Sequence, residues 1–275
     1  MKIFALIIVI LSGLLLISAT SDFPAIGDPL SPANTHNSPH YIESAMEETS
    51  VPNIVTAVLG DYRAYDTMFE TVVVFSAILG CALLLRSFRH KPKERYYRHC
   101  STGVVIHVKG DKDLPHESTH FERIDSDWVP PDIIVHTVIR LLVPFIQLFA
   151  LYVIAHGHHS PGGGFQGGVI LGSSFILLAL SFDLRFLLKR MKERTLNLLC
   201  AAGVVIFSGV GLICMGLGLN FLDYSALSKI LPVDQIAARS WGILFVEIGV
   251  GITVMAAMVI IYNNLASEGR YDEGL

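Results

Sequence analysis

The chain has 275 residues, 52% of them hydrophobic and only 16% charged, with a formal net charge of -4 and a mean hydropathy of +0.55. Soluble domains carry about 25% charged residues, so this composition argues against a water-soluble catalytic domain. The basic residues gather beside apolar runs, with no base-reading motif, which argues against a nucleic-acid partner.

Residues 1–18 are Met-Lys and then an unbroken apolar run through Ile17, ending at Ser18-Ala19-Thr20-Ser21. Signal peptide and first membrane helix are both compatible with this pattern, and the retained helix is favoured. Residues 20–66 hold seven Asp or Glu against one basic residue, Arg63. With Pro24, Pro29, Pro32 and Pro39 they read as an irregular acidic loop outside the membrane. Val51 to Leu59 is more regular and reads as a short helix near the membrane surface. Asp66 or Thr67 is placed to cap the next apolar helix, 67–88, with Glu70 in its first turns.

That helix ends in Arg86, Arg89, Lys91, Lys93, Arg95 and Arg98, opposed only by Glu94, so the positive-inside rule puts this end in the cytoplasm. Residues 99–132, with Pro115, Pro130 and Pro131, form a polar cytoplasmic connection in which Thr102 to Val108 suggests a strand. Further apolar helices are expected at 133–155, 167–184, 196–219 and 240–262. Between the second and third of these lie Arg185, Lys189, Arg190, Lys192 and Arg194 against Glu193, again a cytoplasmic signature. Residues 220–239, containing Pro232, would be an outer loop, and 263–275 a cytoplasmic tail. The expected fold is an all-α polytopic membrane protein with six transmembrane helices and both termini cytoplasmic.

The most unusual stretch joins two of these helices: His156-Gly-His158-His159-Ser-Pro161-Gly162-Gly163-Gly164-Phe165-Gln-Gly167-Gly168. Its glycines continue into the following helix, where they allow a second backbone to approach. Three closely spaced histidines without Cys or carboxylate company do not make a metal site, and the glycines lack the Lys-Ser/Thr of a phosphate-binding loop. His158 is read as ordering the turn or relaying protons. No cofactor is indicated: Cys81, Cys100, Cys200 and Cys214 have no metal-ligand, iron–sulfur or disulfide-framework spacing.

Ionisable residues in apolar helices mark ion paths or buried pairs. Glu247 and Glu70 are the two acids so placed, Glu247 ahead; the alternatives are an interhelical hydrogen bond and an interfacial carboxylate. Asp61, Arg63 and Asp66 read as orienting or capping residues that include an Asp–Arg pair. His136, Arg140 and Gln147 share a helix face with Pro144, which removes a backbone donor and opens a site for water or a cation. A structural interface explains that stripe nearly as well. Gly209, Gly211, Gly216, Gly218, Gly249 and Gly251 are expected to serve close packing.

The run Leu141-Leu-Val-Pro144-Phe-Ile-Gln-Leu-Phe-Ala-Leu-Tyr152, followed by Gly157-His158 and Ser160 to Gly168, resembles the B subunit of Mrp-type multisubunit sodium/proton antiporters. Asn53 to Glu70 resembles the E-like two-helix domain of that system, which also occurs in energy-converting membrane-bound hydrogenases. The resemblance covers roughly 50–88 and 125–262. His156 stands where the family commonly has arginine, and an acid, more often aspartate, is common at the position of Glu247. The acidic segment Asp22 to Glu48 is longer than in compact relatives. The resemblance implies four parts: a two-helix E-like domain with an acidic external loop (1–98), a cytoplasmic connection (99–132), a four-helix B-like domain (133–262) and a tail (263–275). It implies a non-catalytic inner-membrane subunit whose partners include complex I-like large subunits, membrane lipid, sodium and protons. An antiporter module within a hydrogenase or related redox complex, and a purely structural scaffold, are the alternatives.

Overall fold

A computed structural model of the chain describes residues 2–87, 95–108, 120–123, 132–182 and 184–267. Twelve elements organise these residues. They are helices α1 (Lys2–Ala19), α2 (Ser38–Thr49), α3 (Ile54–Ala57) and α4 (Ala64–Ser87), strands β1 (Arg95–His99), β2 (Val105–Val108) and β3 (Phe121–Arg123), and helices α5 (Ile133–His156), α6 (Gly164–Phe182), α7 (Leu184–Arg190), α8 (Glu193–Gly216) and α9 (Gln235–Ala266). Five of them, α4, α5, α6, α8 and α9, are long and apolar enough to cross a membrane. The 18-residue α1 is apolar nearly throughout and exposes its large side chains, from Ile3 and Phe4 to Ile17.

The last helix is the hub. In its apolar window 67% of residues are buried, against 11% for α4 and for α5. It packs on α8, α6 and α4, because small residues let these backbones meet. Gly249 and Gly203 face each other across the α8–α9 seam, and Thr253 Oγ1 lies 3.1 Å from the Gly249 carbonyl and 3.2 Å from that of Cys200. Along the α6–α9 seam Gly164 meets Glu247, Gly168 meets Gly251 and Gly172 meets Met255, so the two helices run in the same direction. Gly209, Gly216 and Gly218, also expected to serve close packing, face open space.

Several expected boundaries move. The acidic segment is not irregular throughout: α2 forms within it, with Pro39 in its first turn, where a missing N–H costs nothing. Its end at Ser50 is left-handed (φ 56°). The next helix, α4, begins at Ala64, so Asp66 and Thr67 lie inside its first turns rather than ahead of it. Thr67 instead donates to the Leu59 carbonyl, 2.8 Å away, at the π-helical turn Val58–Tyr62. The final helix starts at Gln235, inside the segment expected to be loop. Ahead of it, Tyr224 folds back into the bundle: its ring packs on Gly242 and its hydroxyl donates to the Gly60 carbonyl (2.9 Å).

Where one strand was expected there are three, antiparallel in the order β2-β1-β3, and β1 begins ahead of the connection at Arg95; this small sheet accompanies a mostly helical chain. β-Branched residues explain the one that was legible: Val105-Ile-His-Val pairs with Arg95 to Arg98. Arg89, Lys91, Lys93 and Glu94, Pro115, Pro130 and Pro131, and the tail beyond Ser267 lie outside the described residues.

Candidate functional site

The glycine-rich turn closes over the middle of α9. Asp132 caps the start of α5, accepting from Ile134 N at 2.7 Å, and the helix runs to His156. The chain then reverses through Gly157 to Gly163 and re-enters as α6. Gly163 adopts φ +124°, open only to glycine, and a Cβ there would come within 2.9 Å of Glu247 Oε1. A Cβ on Gly164 would strike the Glu247 backbone itself. The glycines are thus what allows the turn to lie directly on a carboxylate.

Glu247 is only 14% exposed in its side chain, and its Oε2 has no hydrogen-bond partner among the described residues. His158 Nδ1 stands 3.9 Å from that oxygen, too far for a direct hydrogen bond and close enough to form an ion pair when the ring is protonated. The other ring nitrogen, Nε2, lies 3.0 Å from the Ser240 carbonyl, a contact that requires a proton on Nε2. Burial holds the His158 pKa below its ordinary value, and the bond to Ser240 opposes that shift. The neutral ring therefore offers Nδ1 as a proton acceptor beside the carboxylate.

A second layer comes from the acidic half of the chain. Asn53 caps α3, accepting from Val55 N (3.1 Å), while its amide donates to the carbonyls of Gly157 and Ser160, both at 2.8 Å. Thr56 donates to the same Gly157 carbonyl at 2.8 Å, and Asn53 N to His158 O at 2.9 Å. These bonds pin α3 to the glycine turn.

Between α3, α4, the turn and α9 lies a cavity of about 240 Å³ whose lining includes Glu70, Glu247, Thr56, Thr67, Thr71 and Gln166. The two acids singled out from sequence thus share one chamber. Each of the three threonine hydroxyls spends its proton on a backbone carbonyl, of Gly157, Leu59 and Thr67 respectively, which leaves lone pairs free. The chamber is rich in oxygen donors, the ligands that hard cations prefer. Among the described residues no cluster of three or more His, Cys, Asp or Glu is arranged to hold a metal ion.

Other sequence candidates fall elsewhere. Asp66 pairs with Arg63 one turn before Glu70, with Arg63 Nε 2.6 Å from Asp66 Oδ2. Asp61 faces Arg239 instead (3.5 Å), and Arg239 also approaches Asp223 (3.9 Å). Burial pushes Asp61 up to about 6, with Arg239 opposing. Arg140, Pro144 and Gln147 line a separate crevice with Arg190, and His136 packs on the Phe182 ring with centroids 4.0 Å apart. Pro161 is exposed at the turn, while Gly162 lines the chamber and Gly167 and Gly168 sit against α5 and α9. Sequence reasoning assigned no role to Asn53, Thr56, Thr71, Gln166 or Arg239. An Asn just ahead of a short helix was the available signal for Asn53; the rest needed the packing.

Residues 134–260 match the family model for a domain related to the MnhB subunit of Na+/H+ antiporter, and residues 7–97 match that for the E subunit of MBH. The antiporter protein mnhB2 of Staphylococcus aureus (strain Newman) is 35% identical over 133 residues, covering 46% of this chain and 94% of the relative. The K(+)/H(+) antiporter A/B subunit of Rhizobium meliloti (strain 1021) is 28% identical over 231 residues, 83% of this chain; the chain spans only 22% of that relative's length. Two solved structures share the fold. One belongs to the membrane-bound sulfane sulfur reductase, an archaeal respiratory membrane complex (24% identity, TM-score 0.57, covering 96% of this chain and 97% of that one). The other is in the Mrp complex from Dietzia sp. DQ12-45-1b (23% identity, TM-score 0.59, covering 99% of this chain and 26% of that one).

Proposed function

Since this chain belongs to the MnhB family and is one component of a multisubunit Na+/H+ antiporter-type complex, we propose that it performs no enzymatic chemistry and forms part of the complex's cation path at the chamber between Glu70 and Glu247. The observation that carries this reading is that two carboxylates from opposite halves of the sequence line one oxygen-rich cavity under a glycine turn. A cation entering it meets carboxylate, hydroxyl and amide oxygens in place of water. Glu247 binds either a proton or a cation, and His158 receives the displaced proton. Asp66 stands at the outer approach, held by Arg63. His136 and Arg140 serve the inner half of α5, away from the chamber.

The wider reading keeps six spans, with α1 the first, and both termini cytoplasmic in the inner membrane. Its parts are an E-like domain over 1–98, a cytoplasmic connection over 99–132, a B-like domain over 133–262 and a tail. In support, the later parts of α4, α6 and α9 and the start of α8 share one apolar cluster with α7, whose last residues are Lys189 and Arg190. Complex I-like large subunits and lipid are its partners, and sodium is the exchanged cation.

A second reading sets the same module in a hydrogenase-type or related redox complex, favoured by the match of residues 7–97 to the E subunit of MBH. Redox chemistry would then lie in the partner proteins. The deciding experiment compares wild type with Glu247→Gln in membrane vesicles from cells expressing the whole complex. It follows sodium-induced relief of an imposed pH gradient and checks in the same membranes that the complex is assembled. Lost exchange with the complex intact is expected; unchanged exchange moves the chain to the scaffold role. A wild type indifferent to sodium favours the redox-linked setting.

A further inference from the structure

At the end of α5 and α6 away from the glycine turn, a crevice of about 530 Å³ opens between α5, α6 and α7. Its walls are apolar and aromatic, including Phe175, Leu178, Phe182 and Phe186, and its polar members are Arg140, Gln147 and Arg190. Among the described residues neither guanidinium has a carboxylate partner. That of Arg190 lies over the Phe186 ring, 4.5 Å from its centroid.

Arg140 is exposed on a helix that otherwise turns Leu141, Leu142, Phe145 and Leu148 outward, the surface expected to meet lipid. It stands roughly 10 Å along the axis from the helix start, a depth at which an uncompensated charge is costly. Side chains tilt toward a helix N-terminus, so Arg140 reaches back toward the end of the bundle that carries Lys189, Arg190, Lys192 and Arg194. Pro144, one turn later, removes the backbone donor that the Arg140 carbonyl would otherwise receive. The crevice therefore joins two guanidiniums that have no carboxylate partner among the described residues to a long apolar wall.

We propose that this crevice binds an anionic phospholipid, with its phosphate between Arg140 and Arg190 and an acyl chain along the phenylalanine wall. Guanidinium groups match phosphate oxygens in geometry and charge, and basic pockets between helices at the cytoplasmic leaflet suit such headgroups. A carboxylate from a neighbouring protein of the complex would answer the charge and leave the apolar length unfilled. Free phosphate would do the same. The bound lipid ties α5 to α7 across the crevice.

The test uses the assembled complex purified in mild detergent, as wild type, R140Q/R190Q and L178W. The last fills the apolar wall and leaves both charges. Native mass spectrometry reads the anionic phospholipid retained after a delipidating wash. Thermal melting is followed with added phosphatidylglycerol, phosphatidylcholine or inorganic phosphate. Wild type is expected to retain anionic lipid and to gain Tm from phosphatidylglycerol alone, and both variants to lose the retained lipid and the gain. If R140Q/R190Q does not assemble, L178W decides. Equal responses to the two lipids in wild type, retention by L178W at the wild-type level, or a cross-link from position 140 to an acidic residue of a neighbouring protein would overturn the proposal.

Discussion

Glu247 and Asp61 show how the same kind of side chain serves two ends, depending on what faces it. Glu247 meets a neutral imidazole and a chamber of oxygens, the setting in which the proposed path has it exchange a proton for a cation. His158→Ala, which removes the neighbouring acceptor, is expected to slow exchange and shift its pH dependence while the complex still assembles; an unchanged pH–rate profile in vesicles counts against the relay. Asp61 meets Arg239, but burial outweighs that attraction and its pKa rises from 3.8 to about 6. A carboxyl whose folded pKa is raised holds its proton longer in the folded state, so stability falls as pH climbs from about 4 to about 6 and then levels. A rise of that size corresponds to about 3 kcal/mol. Asp61→Asn abolishes this loss, so melting temperatures of variant and wild type should diverge across that window in favour of the variant.

At the scale of elements, glycine placement decides which helices touch. Gly164 lies against the Glu247 backbone, which cannot move aside, whereas Gly209 faces open space. Gly164→Ala is expected to cost about 1–3 kcal/mol through overpacking and to lower the yield of assembled complex. Gly209→Ala should be neutral or stabilise by roughly 0.5–1 kcal/mol. A melting comparison in detergent separates them, and similar values for both would remove the close-approach account of the α6–α9 seam. The Asn53 amide ties α3 to the carbonyls of Gly157 and Ser160. Asn53→Ala loses a helix cap worth about 1 kcal/mol and leaves the part-buried Ser160 carbonyl without its donor, at roughly 1 kcal/mol more, while Thr56 still serves the Gly157 carbonyl. Faster proteolysis between α2 and α4 than in wild type is the expected sign.

At the scale of the whole molecule, the six-span reading puts the sheet in the cytoplasm. Cys100 follows β1 directly and is exposed, while Cys200 and Cys214 are buried. A membrane-impermeant maleimide is therefore expected to label Cys100 in inverted vesicles and to spare it in intact cells. Labelling from outside would invert the topology and exchange the two ends of the proposed cation path.

Much of this was legible in residue order, because crossing a bilayer imposes length and apolarity on contiguous residues. The long helices, the Pro144 position and the glycine turn all stand out for that reason. So do Glu70 and Glu247, since a charge in an apolar run is conspicuous wherever the helix packs. The α2 helix was hidden because Pro39 reads as a breaker and acts as a first-turn residue. Two strands of the sheet were hidden because pairing partners lie apart in sequence and carry charge. What the tertiary structure alone decided is which groups meet. Glu70 joins Glu247, Asp61 turns to Arg239 rather than to Arg63, and Arg140 shares a crevice with Arg190. A helix face is encoded every three to four residues, but its neighbour is chosen by where backbones can approach, and that depends on glycines distributed across the whole chain.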